Sequence, residues 1–345
     1  ELMPIEKTVF ADGEVMVAWA GFDTNTTELF QYLDFDRSSG LDATQTAVGH
    51  EAVGQQNWIF ADARDIRYQT HGNIPIRGSG DPRRITKIGE PGAFWDDAYL
   101  DASLFPALDG SQDFISSANN SPFNHVEDND PTNDAFYYGS YFDPGYRAGR
   151  IADMLTDLTA RGDIDLYDMM AMQADVGSSL AYDMVPLLIE VGTKIETSED
   201  LAEYRDRPEL TDAIARLAAW DGQMSKDSEE AVLFHTWQVL LQERNLGGDM
   251  GVLFDAIAEA SPVFMAKANT VAYTLSIETL TDGKGDRNML ASLDDALVWI
   301  EDVRGSKGLE QVVWSDVHTM QINSHWVDDI NLAYDGDEST INVAD

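Results

Sequence analysis

The sequence has 345 residues, 43% of them hydrophobic, with 62 Asp and Glu against 22 Lys and Arg and no cysteine. That is enough for one large domain or two smaller ones; the formal net charge of -40 argues against nucleic acid or anionic membrane as partners. The lack of cysteine excludes disulfides, thiolate metal sites and a cysteine nucleophile within these residues, and no stretch approaches the roughly 20 apolar residues of a membrane span, so the chain reads as a soluble globular protein.

The sequence opens at Glu1 without an initiator Met, a basic leader or an apolar leader, and the expectation is that any targeting signal lay upstream. Lysine occurs only at Lys7, Lys87, Lys194, Lys226, Lys267, Lys284 and Lys307, and the acids are spread along the whole chain. Such self-repulsion is relieved when salt shortens the Debye length, which points to a high-salt habitat; an acidic exported protein is the alternative.

The first third reads as strands and long loops. Glu14–Ala20, Trp58–Asp62, Ile66–Thr70 and Phe114–Ala118 are short runs rich in β-branched and aromatic residues, bounded by Gly, Asp and Asn. Ala63-Arg64-Asp65 makes a tight connection, so the second and third of these runs are expected to form a hairpin. Asp34–Gly40 alternates oxygens as a calcium loop does, but its glycine falls one place late and Gln45 stands where the bidentate Glu belongs, so a surface turn is the better reading.

From about Asp143 the apolar period becomes helical. Ile151, Met154, Leu155 and Leu158 share one face of a helix expected to stop near Gly162. Further helices are expected over Leu166–Val176, Ser179–Val191, Pro208–Trp220, Ser228–Asn245, Val252–Ala260 and Leu293–Val303, several with Asp or Ser near the start. Strands followed by helices predict an α+β fold, divided into a strand-rich part over 1–142, a helical arm over 143–313 and a segment over 314–345 returning toward the sheet, with Ser339–Val343 as its strand. There is no Walker loop, no His-Glu-x-x-His helix and no Gly-x-Ser-x-Gly elbow. Of the six histidines, His318 and His325 come closest to a pair, which keeps a metal-dependent hydrolase open although their spacing does not stack them on one helical turn.

Asn57-Trp58-Ile59-Phe60-Ala61-Asp62, followed by Tyr68-Gln69-Thr70-His71-Gly72-Asn73-Ile74-Pro75-Ile76-Arg77, resembles the penicillin amidase family pattern. Gly80-Asp81-Pro82-Arg83, Ile115–Pro122, Tyr146–Ile151, Met172–Val176 with Ser178, Trp220-Asp221-Gly222 and Trp314–His318 follow in family order. The resemblance covers most of the chain. It implies part of an N-terminal-nucleophile αββα sandwich with a helix-rich arm, namely an internal segment of the large subunit of an acylase.

Such enzymes attack an amide with the hydroxyl or thiol of the large subunit's N-terminal residue, exposed by autocatalytic processing, with its own α-amino group as base. The resemblance implies that Asn119 donates to the developing oxyanion, and Asn120 is the alternative within the same Asn-Asn-Ser-Pro turn; a plain turn is the bland reading. Arg147 would orient the catalytic groups, or form only a helix N-terminal ion pair, while Arg150 is expected to face outward. Gln56 stands where the family lines its acyl pocket, so a phenylacetyl preference is not implied. A structural calcium would use Asp130 and the Pro82 carbonyl, against the simpler account of Glu127–Asp134 as a solvated acidic loop.

The resemblance further implies a small-molecule N-acyl substrate, such as a β-lactam side chain or an N-acyl homoserine lactone, and no organic cofactor. The small subunit and the remainder of the large one would be partners, with a periplasmic or extracellular location. Glu1 cannot be the nucleophile, so the chain by itself is expected to be inactive. The rival reading is a non-catalytic, calcium-stabilised extracellular binding protein on the same scaffold.

Overall fold

A computed structural model describes residues 3–5, 15–17, 28–50, 55–77, 98–111, 113–121, 136–139, 142–143, 145–250, 285–322, 330–337 and 339–342. The chain divides into two compact units, Glu1–Phe142 and Asp143–Asp345.

In the first unit, β1 (Met3–Ile5) pairs antiparallel with β2 (Val15–Val17). The expected hairpin is present as β3 (Gln56–Ala61) and β4 (Ile66–His71), in register from Gln56↔His71 to Ala61↔Ile66. Its turn is held by Asp62, whose Oδ1 accepts the backbone N–H of Arg64 at 2.7 Å and of Asp65 at 3.1 Å. The Arg64 N–H is the main reason the exposed Asp62 carboxyl is held below the usual carboxylate range. A short β5 (Ala107–Leu108) adds to β4, so β4 is the central strand, and its residues from Tyr68 to His71 are buried. Beyond β4, Ile74, Leu100 and Phe105 form a small apolar core against Phe136 and Tyr138.

Two expectations for this unit fail. The first third contains two helices, α1 (Glu28–Arg37) and α2 (Leu41–Val48), where strands and loops were read. Helix α1 leaves Phe30, Tyr32 and Leu33 exposed, so its sequence lacks the one-sided apolar stripe that marks a helix. Asp34–Arg37 is the last turn of α1, and Gly40, at φ 94°, starts α2, so the calcium-loop lookalike is a turn between helices. The segment Phe114–Ser117 is not a strand, since it meets β3 through a side chain and not through a backbone ladder.

The second unit is helical: α3 (Tyr146–Arg161), α4 (Leu166–Gln173), α5 (Ser179–Lys194), α6 (Pro208–Ala219), α7 (Glu229–Met250) and α8 (Gly285–Lys307), then a single turn, α9 (Trp314–Val317). Local sequence sets the boundaries. Gly162, at φ 75°, ends α3; Asp165 and Asp168 form a capping box on α4; Ser178 Oγ accepts from Ala181 N at the start of α5; and Pro208 occupies the first turn of α6. Helix α4 stops at Gln173, short of the expected Val176, because Asp175–Ser178 turns to bond the Gly222–Met224 segment: Ser178 N donates to Gly222 O and Met224 N to Val176 O.

Helices α5, α6, α7 and α8 enclose the main core, with Met184, Leu188, Leu210, Leu217, Phe234, Trp237 and Leu290 all fully buried. Trp237 donates its indole N–H to Met289 O at 3.0 Å, tying α7 to α8. The segment after α9 forms an antiparallel pair, β6 (Thr319–Ile322) with β7 (Ile330–Ala333). Ser339–Asn342 is turn and bend instead of the expected strand. Its backbone and side chains bond the helical unit, with Asn342 N donating to Asp175 O and Ser339 Oγ meeting Ser178 Oγ at 2.9 Å. The expected helix Val252–Ala260 lies outside the described residues. The architecture is α+β, with small antiparallel sheets and a helix-rich unit.

Candidate active site

The Asn-Asn turn hangs from the hairpin by a line of side chains. Tyr68 points to the buried side of β4 and is 3% exposed, so its hydroxyl needs a partner. It donates to Asn57 Oδ1 on β3 at 2.7 Å, and the other end of that amide, Nδ2, donates to Ser117 Oγ at 3.1 Å. Burial pushes the Tyr68 phenol well above its ordinary range, which keeps it a donor at neutral pH. Ser117 leads directly into Ala118, buried, and Asn119, whose φ is 63°. Asn is among the few non-glycine residues that tolerate this left-handed conformation.

The two asparagines of the turn have different surroundings. Asn120 uses both ends of its amide on the local backbone, accepting from Ala118 N at 3.1 Å and donating to Ser121 O at 3.2 Å. Asn119 has an exposed side chain. Of the pair, Asn120 therefore builds the turn, and Asn119 is presented by it.

Gln56 precedes Asn57 on β3 with its side chain exposed, and its carbonyl accepts from Thr70 Oγ1 at 3.0 Å. Trp58, next along the strand, packs on Phe35 of α1 with ring centroids 4.7 Å apart. Gly72 follows β4 at φ 151°, with Gln55 so close that a Cβ would stand 2.6 Å from its Cγ. That glycine is required by both backbone and space.

Arg147 belongs to the second unit. Its Nη2 bonds Asp143 Oδ2 at 2.9 Å, and Asp143 Oδ1 also accepts the N–H of Gly145, just before the helix. The helix N-terminal ion pair weighed from the sequence is thus present. Arg150 does not face outward as expected. It grips Asp175 with two hydrogen bonds, Nε to Oδ1 at 2.9 Å and Nη2 to Oδ2 at 2.7 Å. This planar fork is one that lysine could not supply.

Several landmarks of the second unit meet at that point. Asp175 Oδ1 also takes the Gly177 N–H, Asp175 O takes Asn342 N, and Gly222, at φ 73°, leaves room for the Tyr182 ring. These motif residues serve as a structural junction.

The calcium positions Asp130 and Pro82, and His325 of the histidine pair, lie outside the described residues. His318 stacks on Trp314, ring centroids 4.6 Å apart. Among the described residues no group of three or more His, Asp or Glu could hold a metal ion, and no helix is long and apolar enough to cross a membrane. Asn57, Tyr68 and Ser117 were read from the sequence only as landmarks without roles. The signal that could have found them is a strand asparagine diagonally across the hairpin from a tyrosine, Asn57 facing Thr70 and Tyr68 facing Ile59 in the register.

The sequence profile of the family described as penicillin amidase matches residues 4–345. The chain belongs to the penicillin amidase family. Among curated proteins it is 25% identical over 223 residues to the acyl-homoserine lactone acylase QuiP of Pseudomonas fluorescens, covering 64% of this chain and 26% of that protein. It is 25% identical over 309 residues to QuiP of Pseudomonas aeruginosa, covering 85% of this chain and 35% of that protein. The chain thus spans about a quarter to a third of the length of these relatives. A thermostable penicillin G acylase from Alcaligenes faecalis has a similar structure, with TM-score 0.52, 15% sequence identity, and coverage of 96% of this chain and 63% of that one. The fold of this penicillin amidase chain is therefore that of a penicillin acylase, as its motif order implied.

Proposed function

We propose that this chain is part of an acylase that hydrolyses an N-acyl amine to an acid and an amine through a covalent acyl-enzyme, and that N-acyl homoserine lactones are its substrate class. The observation that carries the proposal is the Asn119 turn: an exposed asparagine in the left-handed conformation, φ 63°, beside Asn120, whose own amide bonds the local backbone. A side-chain N–H held this way suits a developing oxyanion. The nucleophile would be the N-terminal Ser, Thr or Cys of the large subunit, supplied from outside these residues, with its α-amino group taking the proton. Gln56 would contact the acyl chain, and Arg147, held by Asp143, would orient the catalytic groups.

The choice of lactone over β-lactam side chain rests on the names of the curated relatives. No observation above favours the non-catalytic binding-protein alternative.

The test incubates the complete gene product with N-acyl homoserine lactones of short and long acyl chain, and with penicillin G, and measures released amine. Release of homoserine lactone is expected, and Asn119→Ala should lower kcat by about 10²–10³ with the unfolding midpoint unchanged. Release of no amine from any of these substrates, or full kcat in Asn119→Ala, overturns the proposal.

A further inference from the structure

Resting on the oxyanion reading of Asn119, we propose that Tyr68 is a positioning residue for catalysis, acting through Asn57 and Ser117 to fix the turn that presents the Asn119 amide. The three groups form one directed line, Tyr68 Oη to Asn57 Oδ1 at 2.7 Å and Asn57 Nδ2 to Ser117 Oγ at 3.1 Å. Its origin is rigid, because Tyr68 is 3% exposed on the central strand. Its far end, Ser117, is two residues from Asn119 and lies outside any strand.

The Asn57 Nδ2 to Ser117 Oγ bond ties Phe114–Ser117 to β3. The direction of each bond is also fixed. A buried phenol donates, so Asn57 must turn its oxygen to Tyr68 and its N–H to Ser117, and one orientation of the amide follows. A hydrogen-bond donor for an oxyanion works only within a few tenths of an ångström of its place, and a misplacement of about 1 Å can cost about 10²-fold in rate.

The inference is tested in the complete gene product with an N-acyl homoserine lactone that it turns over, by a double-mutant cycle on kcat. Tyr68→Phe removes one hydroxyl and keeps the ring; Ser117→Ala breaks the line at its other end and serves if the first variant folds poorly. Each should lower kcat about tenfold or more while leaving KM within a few-fold. In the Asn119→Ala background neither should lower kcat further, because there is no amide left to position.

Asn57→Asp keeps an acceptor for Tyr68 and one for a rotated Ser117 hydroxyl, so it should recover most of the kcat that Asn57→Ala loses. Full additivity of Tyr68→Phe with Asn119→Ala, or wild-type kcat in both Tyr68→Phe and Ser117→Ala, overturns the positioning role while leaving Asn119 in place. An Asn119→Ala variant with full kcat overturns the oxyanion reading and the positioning role with it.

Discussion

The two units keep their order by different means. In the helical unit α5–α8 surround a continuous buried core, and sequence periodicity, caps and packing all agree. In the strand-bearing unit the described core is the small Ile74, Leu100 and Phe105 cluster, and the turn of interest is held by side-chain hydrogen bonds aimed from a hairpin. The helical core thus provides bulk stability, with Arg147 on α3 as that unit's one proposed contribution to catalysis. The proposed chemistry sits where a few directed bonds decide geometry.

The largest effect expected from breaking this contrast is on stability. Trp237 is fully buried and donates to Met289 O, so Trp237→Ala is predicted to cost about 3–5 kcal/mol in urea unfolding, from lost burial and the cavity left behind. A loss below about 1 kcal/mol would mean the helices do not depend on this packing. Asn119→Ala, by contrast, should leave the same unfolding curve in place.

Arg150→Ala sharpens the comparison inside the helical unit. It strands Asp175, whose side chain is only 12% exposed, at a predicted cost of about 1–3 kcal/mol. Arg150→Lys should recover only part of that, since an ammonium cannot reproduce the fork. Equal stability of the lysine variant and wild type would show that charge alone suffices.

A smaller, pH-dependent effect is predicted at Asp337, 1% exposed. Burial acts to raise its pKa, but His235 Nδ1 at 3.6 Å from Oδ2 and the Ser339 N–H and O–H on Oδ1, at 2.9 and 2.7 Å, prevail and hold the carboxyl below the usual carboxylate range. A depressed folded pKa gives stability that is complete above the unfolded value of about 3.9 and is lost as pH falls through the folded value. Other charged or titratable groups around this loop and the adjoining Trp314 are His318, Tyr334, Asp335 and Lys226. The advantage of wild type over Asp337→Asn in urea should therefore hold from neutral pH down to about pH 4 and shrink as pH falls further. A constant gap would assign the difference to packing.

The same contrast explains what was legible in the sequence. Helices α3, α5, α6 and α7 announced themselves because their burial repeats every 3.6 residues, and Gly162, Ser178 and Pro208 mark their ends. Helix α1 did not, because Phe30, Tyr32 and Leu33 are exposed and break the one-sided stripe. The hairpin was readable from its β-branched and aromatic composition and its tight Ala63-Arg64-Asp65 connection, whereas Phe114–Ser117 has strand composition but forms no strand.

At the candidate site, Asn119 was found by family likeness, and its left-handed backbone then distinguished it from Asn120. Tyr68 and Asn57 were invisible as a pair, since only strand register brings them together. Arg150 was misjudged because its partner Asp175 lies 25 positions away, beyond any local pattern.

The smallest effect concerns the exposed pair Arg304–Glu301 on α8, N to O 2.5 Å, with side chains 45% and 62% exposed. An isolated pair of this kind contributes about 0–1 kcal/mol at low salt. Glu301 also adds to a formal charge of -40. The two terms oppose each other, so Glu301→Gln is predicted to change stability by less than about 0.5 kcal/mol in dilute buffer. Molar salt screens both the pair and the repulsion within a few ångströms. The repulsion is summed over the whole surface and the pair is one contact, so the thermal midpoint of wild type should rise from low to molar salt, and that of Glu301→Gln should rise slightly less. A midpoint that stays flat or falls with salt would mean that ion pairs such as this one, and not net repulsion, set the electrostatic balance.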